Sequence, residues 1–153
     1  MKLDTDNPIL KDLPTDAHIV RLPKGLVGLP ELKELEIVFN EEQLPFMWLR
    51  EQTEDGFSFI VVEPAVLLDD YSFDVKDEDV AQIGIKKGED VLVLNIVTLH
   101  SDSEYPVTVN LAAPIVINRK TRAGMQVILD DFEKFPTHHP VVEKAKACAG
   151  CSN

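Results

Sequence analysis

Cysteine is scarce in this 153-residue chain: there are two, Cys148 and Cys151, both within the last six residues. A secreted disulfide scaffold spreads its cysteines through the fold, so this distribution fits a reducing compartment better. Long apolar runs are missing too. Stretches such as "VLVLNIVTL" at 91–99 fall well short of the roughly 20 residues that a membrane-spanning helix needs. The start, "MKLDTDNPILKDLP", has no apolar h-region, so no signal peptide is read and the chain is expected to be soluble and cytoplasmic. Basic residues are few beside acidic ones, 15 against 27, giving a formal net charge of -12 and a pI near 4.6. Such a surface repels phosphate backbones and anionic lipid, which argues against direct nucleic-acid or membrane binding, and it attracts basic protein partners. An acidic surface is equally a common way to stay soluble. The seven glycines form neither a Walker loop nor a dinucleotide fingerprint, and "GIKKG" at 84–88 lacks the Lys-Ser/Thr ending. No G-x-S-x-G elbow frames a serine, and His18, His100, His138 and His139 stand beside no obvious nucleophile.

What the chain does have is strand. "AHIVRL" (17–22), "ELEIVF" (34–39), "PFMWLRE" (45–51), "GFSFIVVE" (56–63), "YSFDV" (71–75), "DVLVLNIVTL" (90–99), "VTVNLAAPIVIN" (107–118) and "MQVIL" (125–129) are rich in Val, Ile and Phe and bounded by Pro, Gly, Asn and Asp. Tyr71, Phe73 and Val75 alternate with Asp70, Ser72 and Asp74, as on a half-buried strand. Residues 91–99 are apolar on both faces and predict a central, doubly covered strand. Many strands with short turn-rich spacers point to an antiparallel barrel or sandwich. Helix signals are few. "KDEDVAQIG" (76–84) offers Asp77 as N-cap and Gly84 as stop. "PVVEKAKACAG" (140–150) places Pro140 at a first helical position, and "PELKE" (30–34) reads as a third short helix or a turn.

Several clusters invite a chemical reading. His138, His139, Cys148 and Cys151 are candidate zinc or redox residues, but H-H-x8-C-x2-C is not a standard metal spacing. A redox CxxC opens a helix, whereas this one would close one beside a chain end, so an exposed, frayed tail is the alternative. Glu63, Asp69, Asp70 and Asp74 lie on an extended, aromatic stretch unlike a cation-binding turn. They read either as a solvated acidic face or as contacts for a basic partner protein. Trp48 shares a strand face with Phe46 and Arg50 and is expected in the core, with an interface hot spot as the alternative.

The most distinctive stretch is "TVNLAAPIVINRKTRAGMQVIL" at 108–129, which holds no nucleophile, base or metal ligand set. It resembles the signature of the flagellar assembly factor FliW family, in which a T-x-N-L-x-A-P-I-V-I-N stretch leads to a G-x-Q-V-I-L strand. Here the match runs through Thr108, Asn110, Leu111, Ala113, Pro114, Ile115, Val116, Ile117 and Asn118, then Gly124, Gln126, Val127, Ile128 and Leu129. "LPKGLVGLPELKELEIV", "PFMWL", "FIVVEPAVLLDDYSFDV" and "DVLVLNIVTL" follow the family's order, so the resemblance covers roughly 17–135. The terminal "KAKACAGCSN" is no family hallmark.

The resemblance implies a mostly β, single small antiparallel barrel-like domain with two or three short helices. An N-terminal segment (1–16) would precede a FliW-like β domain (17–139), with a short helix and frayed tail (140–153) after it. It also implies a cytoplasmic protein without enzymatic activity or cofactor. Family members bind CsrA, an RNA-binding translational regulator, relieve its repression of flagellin mRNA, and bind flagellin in a partner switch. A flagellin chaperone that ignores CsrA, or a metal- or redox-linked enzyme using the C-terminal His and Cys residues, are the competing readings. Within the signature, Pro114 cannot donate a ladder hydrogen bond, so the strand is expected to bend, bulge or lie at an edge. Asn110 and Asn118 would pin that irregularity through side-chain hydrogen bonds to the backbone. Two readings follow: backbone groups left available to another chain, or an internal corner of the barrel.

Overall fold

In the computed structural model the described residues are 2–4, 18–40, 42, 46–52, 56–64, 71–101, 106–131 and 133–140. Among them the strands are β1 (Lys2–Asp4), β2 (Ile19–Arg21), β3 (Glu34–Val38), β4 (Phe46–Arg50), β5 (Ser58–Val62) and β6 (Ser72–Asp74). The helix α1 (Asp77–Gln82) and a 3-10 turn at Gly88–Asp90 come next. β7 (Val91–Leu99), β8 (Val107–Val109), β9 (Ile115–Asn118), β10 (Gly124–Gln126) and β11 (His139–Pro140) complete the chain order.

β7 organises the fold. Its alternation sends Val91, Val93 and Val97 into one apolar cluster with Tyr71, Phe73 and Phe135. Leu92, Leu94 and Ile96 enter a second cluster with Leu35, Leu49 and Ile115. Double coverage therefore holds for 91–97, while Thr98 and Leu99 run out into solvent. Each fully buried Leu or Ile contributes about 1.5–3 kcal/mol relative to exposure, which makes the two-faced packing of β7 the main support of its position.

All named ladders are antiparallel. The main path runs β10-β9-β7-β5-β4-β3-β2, with β8 added to β7 and β11 added to β8, while β1 and β6 form a separate two-stranded ladder. The two ends of the path meet at one isolated parallel bridge, Arg21 with Ala123, supported by Arg21 N–H donating to the Arg122 carbonyl at 2.9 Å. The sheet is thus rolled without being closed by a continuous ladder, and the fold is mostly β.

Some local expectations are corrected. Asp77 is the first residue of α1, and the N-cap is Lys76, which makes no side-chain capping bond. The helix stops as expected at Gly84: φ is +71, and Ile85 N–H reaches back to the Val80 carbonyl at 2.9 Å, a closure that glycine permits at no steric cost. At 30–34 the turn holds over the helix: residues 30 and 31 turn, and the chain enters β3 at Glu34. Pro140 does not start a helix; it pairs with Thr108 across β11 and β8, a short edge strand where a missing N–H costs nothing. Residues 141–153 lie outside the described residues. Trp48 is half-buried, because β4 turns Met47 and Leu49 inward and leaves Trp48 on the face that also carries the exposed Arg50.

Candidate protein-interaction site

β8 and β9 lie against the same edge of β7. Val97 pairs with Val109 and Leu94 with Ile115, so Asn95 and Ile96 alone face the five residues 110–114. The three extra residues form an oversized bulge, which is what Pro114 demands of an otherwise continuous ladder. Every carbonyl of the bulge is nevertheless taken. Asn95 Nδ2 donates to Asn110 O at 2.8 Å, Tyr71 Oη to Leu111 O at 2.8 Å, and Leu129 N–H to Ala112 O at 2.7 Å. Gln126 Nε2 donates to Ala113 O at 3.1 Å, and Val127 N–H to Pro114 O at 3.0 Å. Asn110 contributes its side chain as well, its Oδ1 accepting from Ala112 N–H at 3.0 Å. Residues 111–118 are buried throughout. The bulge is an internal corner; it leaves no carbonyl for another chain.

Two residues outside the signature, Asn95 and Tyr71, carry this corner. Asn95 is fully buried in the middle of an apolar strand, and its Nδ2 also donates to Tyr71 Oη at 3.2 Å. Burial pushes the Tyr71 phenol up to about 12, against a smaller downward pull from the Asn95 hydrogen bond. The lone Asn inside "VLVLNIVTL" was the available signal, since a buried amide in an apolar run must find partners.

The rest of the signature holds the adjoining hairpin. Asn118 Oδ1 accepts from Lys120 N–H at 2.8 Å and Thr121 N–H at 3.2 Å, while its Nδ2 donates to Ile83 O at 2.9 Å. One side chain thus shapes the turn and ties it to the end of α1. Gly124 lies so close to β9 that a Cβ would sit 2.7 Å from Val116 O. Gln126 joins three segments, since its Oε1 also accepts from Val27 N–H at 2.8 Å.

Of the acidic candidates, Glu63 is half-buried just after β5 and Asp74 is exposed at the end of β6, while Asp69 and Asp70 lie outside the described residues. Of the metal or redox candidates, His138 is exposed with its ring 5.8 Å from that of His100, and His139 sits in β11. Cys148 and Cys151 lie outside the described residues. Among the described residues, no three His, Cys, Asp or Glu side chains converge on a possible metal position, and no helix is long and apolar enough to cross a membrane.

Two surface features had not been expected. Val27, Phe59, Ile96 and Ile128 line an apolar groove of about 390 Å³ beside the corner. A larger open groove of about 720 Å³ lies between β6–α1 and the residues following β10. Phe73, Met125 and Phe135 line it together with four acids, Asp74, Asp79, Asp130 and Asp131, and one base, Lys76. Only Asp74 of these acids had been singled out, because nothing in the linear order brings residue 74 beside residue 130. Buried irregular backbone on one side and apolar, acid-rimmed surface on the other suit binding of another protein.

The model of the family described as "FliW protein" matches residues 13–141. The flagellar assembly factor FliW of Clostridium kluyveri is 36% identical over 148 residues, covering 97% of this chain and 100% of that protein. Its counterpart in Clostridium novyi is 38% identical over 129 residues, covering 84% of this chain and 89% of that one. A crystal structure of the flagellar assembly factor FliW superposes with a TM-score of 0.73 at 32% identity, over 86% of this chain and 92% of the other. The chain therefore belongs to the flagellar assembly factor FliW family.

Proposed function

We propose that this protein is a cytoplasmic partner-switching factor that acts by binding and performs no catalysis. It binds the RNA-binding regulator CsrA, relieves repression of flagellin mRNA, and gives CsrA up when flagellin occupies it. The observation that carries this reading is family membership across residues 13–141, joined to a signature whose polar groups are consumed in shaping the fold. The net charge of -12 supports it further, because a regulator that attracts RNA carries basic surface and is steered towards an acidic partner. The acidic set Glu63, Asp69, Asp70 and Asp74 is assigned to partner contact on the same ground of charge.

The test is a calorimetric titration against CsrA from the same organism, repeated with flagellin already bound. Saturable CsrA binding that flagellin abolishes is the expected result. Binding to flagellin without heat from CsrA would replace this reading with that of a chaperone, and silence with both would overturn it.

A further inference from the structure

After β10 the chain runs on beside the corner, and among the described residues it enters no further ladder. In an antiparallel ladder, hydrogen-bonded and non-bonded positions alternate. Val127 and Leu129 donate inward, to Pro114 O and Ala112 O. By that alternation the N–H and C=O of Gln126 and Ile128 point the other way, out of the sheet, and Asp130 stands at the bend that follows. Among the described residues, no backbone partner meets Ile128 or Asp130. The side chain of Ile128 is 50% exposed. This edge forms one wall of the 720 Å³ groove, and β6–α1 forms the other.

An unpaired edge with an exposed apolar residue is a template for any extended chain. Charge decides which chain it admits. Asp74, Asp79, Asp130 and Asp131 rim the groove against Lys76 alone, with Lys134 nearby over the Phe135 ring. None of the four carboxylates is ion-paired among the described residues. A second copy would bring Asp130 and Asp131 against their own equivalents, and like charges facing across a ladder are destabilising. A basic strand meets opposite charge at the same positions.

We propose that the edge Gln126–Asp130 receives an extended segment of a partner protein as an added antiparallel or parallel strand. That segment alternates Lys or Arg with apolar side chains: its backbone pairs with Gln126, Ile128 and Asp130, its apolar side chains enter the groove, and its cations meet the four aspartates. Main-chain bonds supply affinity and the alternate side chains supply selectivity, as in other strand-addition complexes. This rests on the protein-binding reading above and specifies the chemistry that such a partner presents.

The test uses the full chain and a capped six-residue peptide alternating lysine and valine, followed by amide NMR. The expected result is salt-dependent binding that slows hydrogen exchange at Ile128 and Asp130 without changing Val127 or Leu129. The same peptide N-methylated at alternate amides should bind at least tenfold more weakly. So should the unmodified peptide with a D130K/D131K variant, whose two sites are exposed; if that variant does not fold, the N-methylated peptide on the unaltered protein decides. Absence of binding, equal binding of the N-methylated peptide, or protection elsewhere than at 126, 128 and 130 would overturn the proposal. Because the probe is synthetic, its failure leaves the CsrA titration standing, and failure of that titration leaves the edge measurement standing.

Discussion

Replacing Tyr71 by Phe removes one oxygen from the corner and leaves the ring contacts with Phe73 and Phe135, at centroid distances of 5.5 and 5.7 Å, in place. No cavity of consequence forms. The Leu111 carbonyl loses its 2.8 Å donor inside the core, whereas Asn95 Nδ2 keeps Asn110 O. An orphaned buried acceptor costs about 1–3 kcal/mol. Taking about 2 kcal/mol, Tm falls by about 4–8 °C for a chain of this length. The phenol adds a pH signature that a purely structural loss lacks. Its folded-state value, about 12, lies above the ordinary 10.0. Its contribution is therefore intact below pH 10 and is lost as pH rises from 10 towards 12, because the unfolded chain releases the proton first. By pH 11 that loss reaches about 1 kcal/mol. Urea unfolding of both proteins should show a gap of about 2 kcal/mol at pH 8 that narrows by about 1 kcal/mol at pH 11. Taking the difference cancels every other group that titrates alike in both chains. A gap that stays constant between pH 8 and 11 would refute the assignment of Tyr71 as a buried donor to the corner.

Asn118→Ala strips the hairpin of two accepted bonds and leaves Ile83 O without its donor; urea unfolding should show a loss of about 2–3 kcal/mol. Gly124→Ala forces a Cβ to within 2.7 Å of Val116 O, so β9 and β10 must separate, and thermal unfolding should register about 1–3 kcal/mol of destabilisation.

Much of the fold was legible because its strands obey simple alternation. Tyr71, Phe73 and Val75 are buried as their spacing requires, and Gly84 ends α1 where a left-handed residue was needed. Pro114 announced a break in the ladder, but the sequence could not say where the freed carbonyls would go. Their donors, Tyr71, Asn95, Gln126, Val127 and Leu129, come from three other segments of the chain. Pairing at that distance is a tertiary property, so an edge open to another chain and a closed corner looked alike in one dimension. The same limit hid the acid-rimmed groove, whose walls are some 50 residues apart in sequence. Trp48 misled for a different reason. Both faces of "FMWLR" carry large apolar residues, and only the pairing of β4 between β3 and β5 decides which faces the core. Pro140 was read from local propensity for a helix start, and strand pairing with β8 overrode it.

The signature closes a corner from within, and among the described residues Ile128 and Asp130 beyond it meet no backbone partner. Native-state amide hydrogen exchange on the free protein tests this residue by residue. Asn110, Leu111, Val127 and Leu129 should exchange slowly, since each donates to a backbone carbonyl, while Ile128 and Asp130 should exchange close to the unfolded rate. Protection at 128 and 130 equal to that at 127 and 129, or fast exchange at 110 and 111, would contradict it.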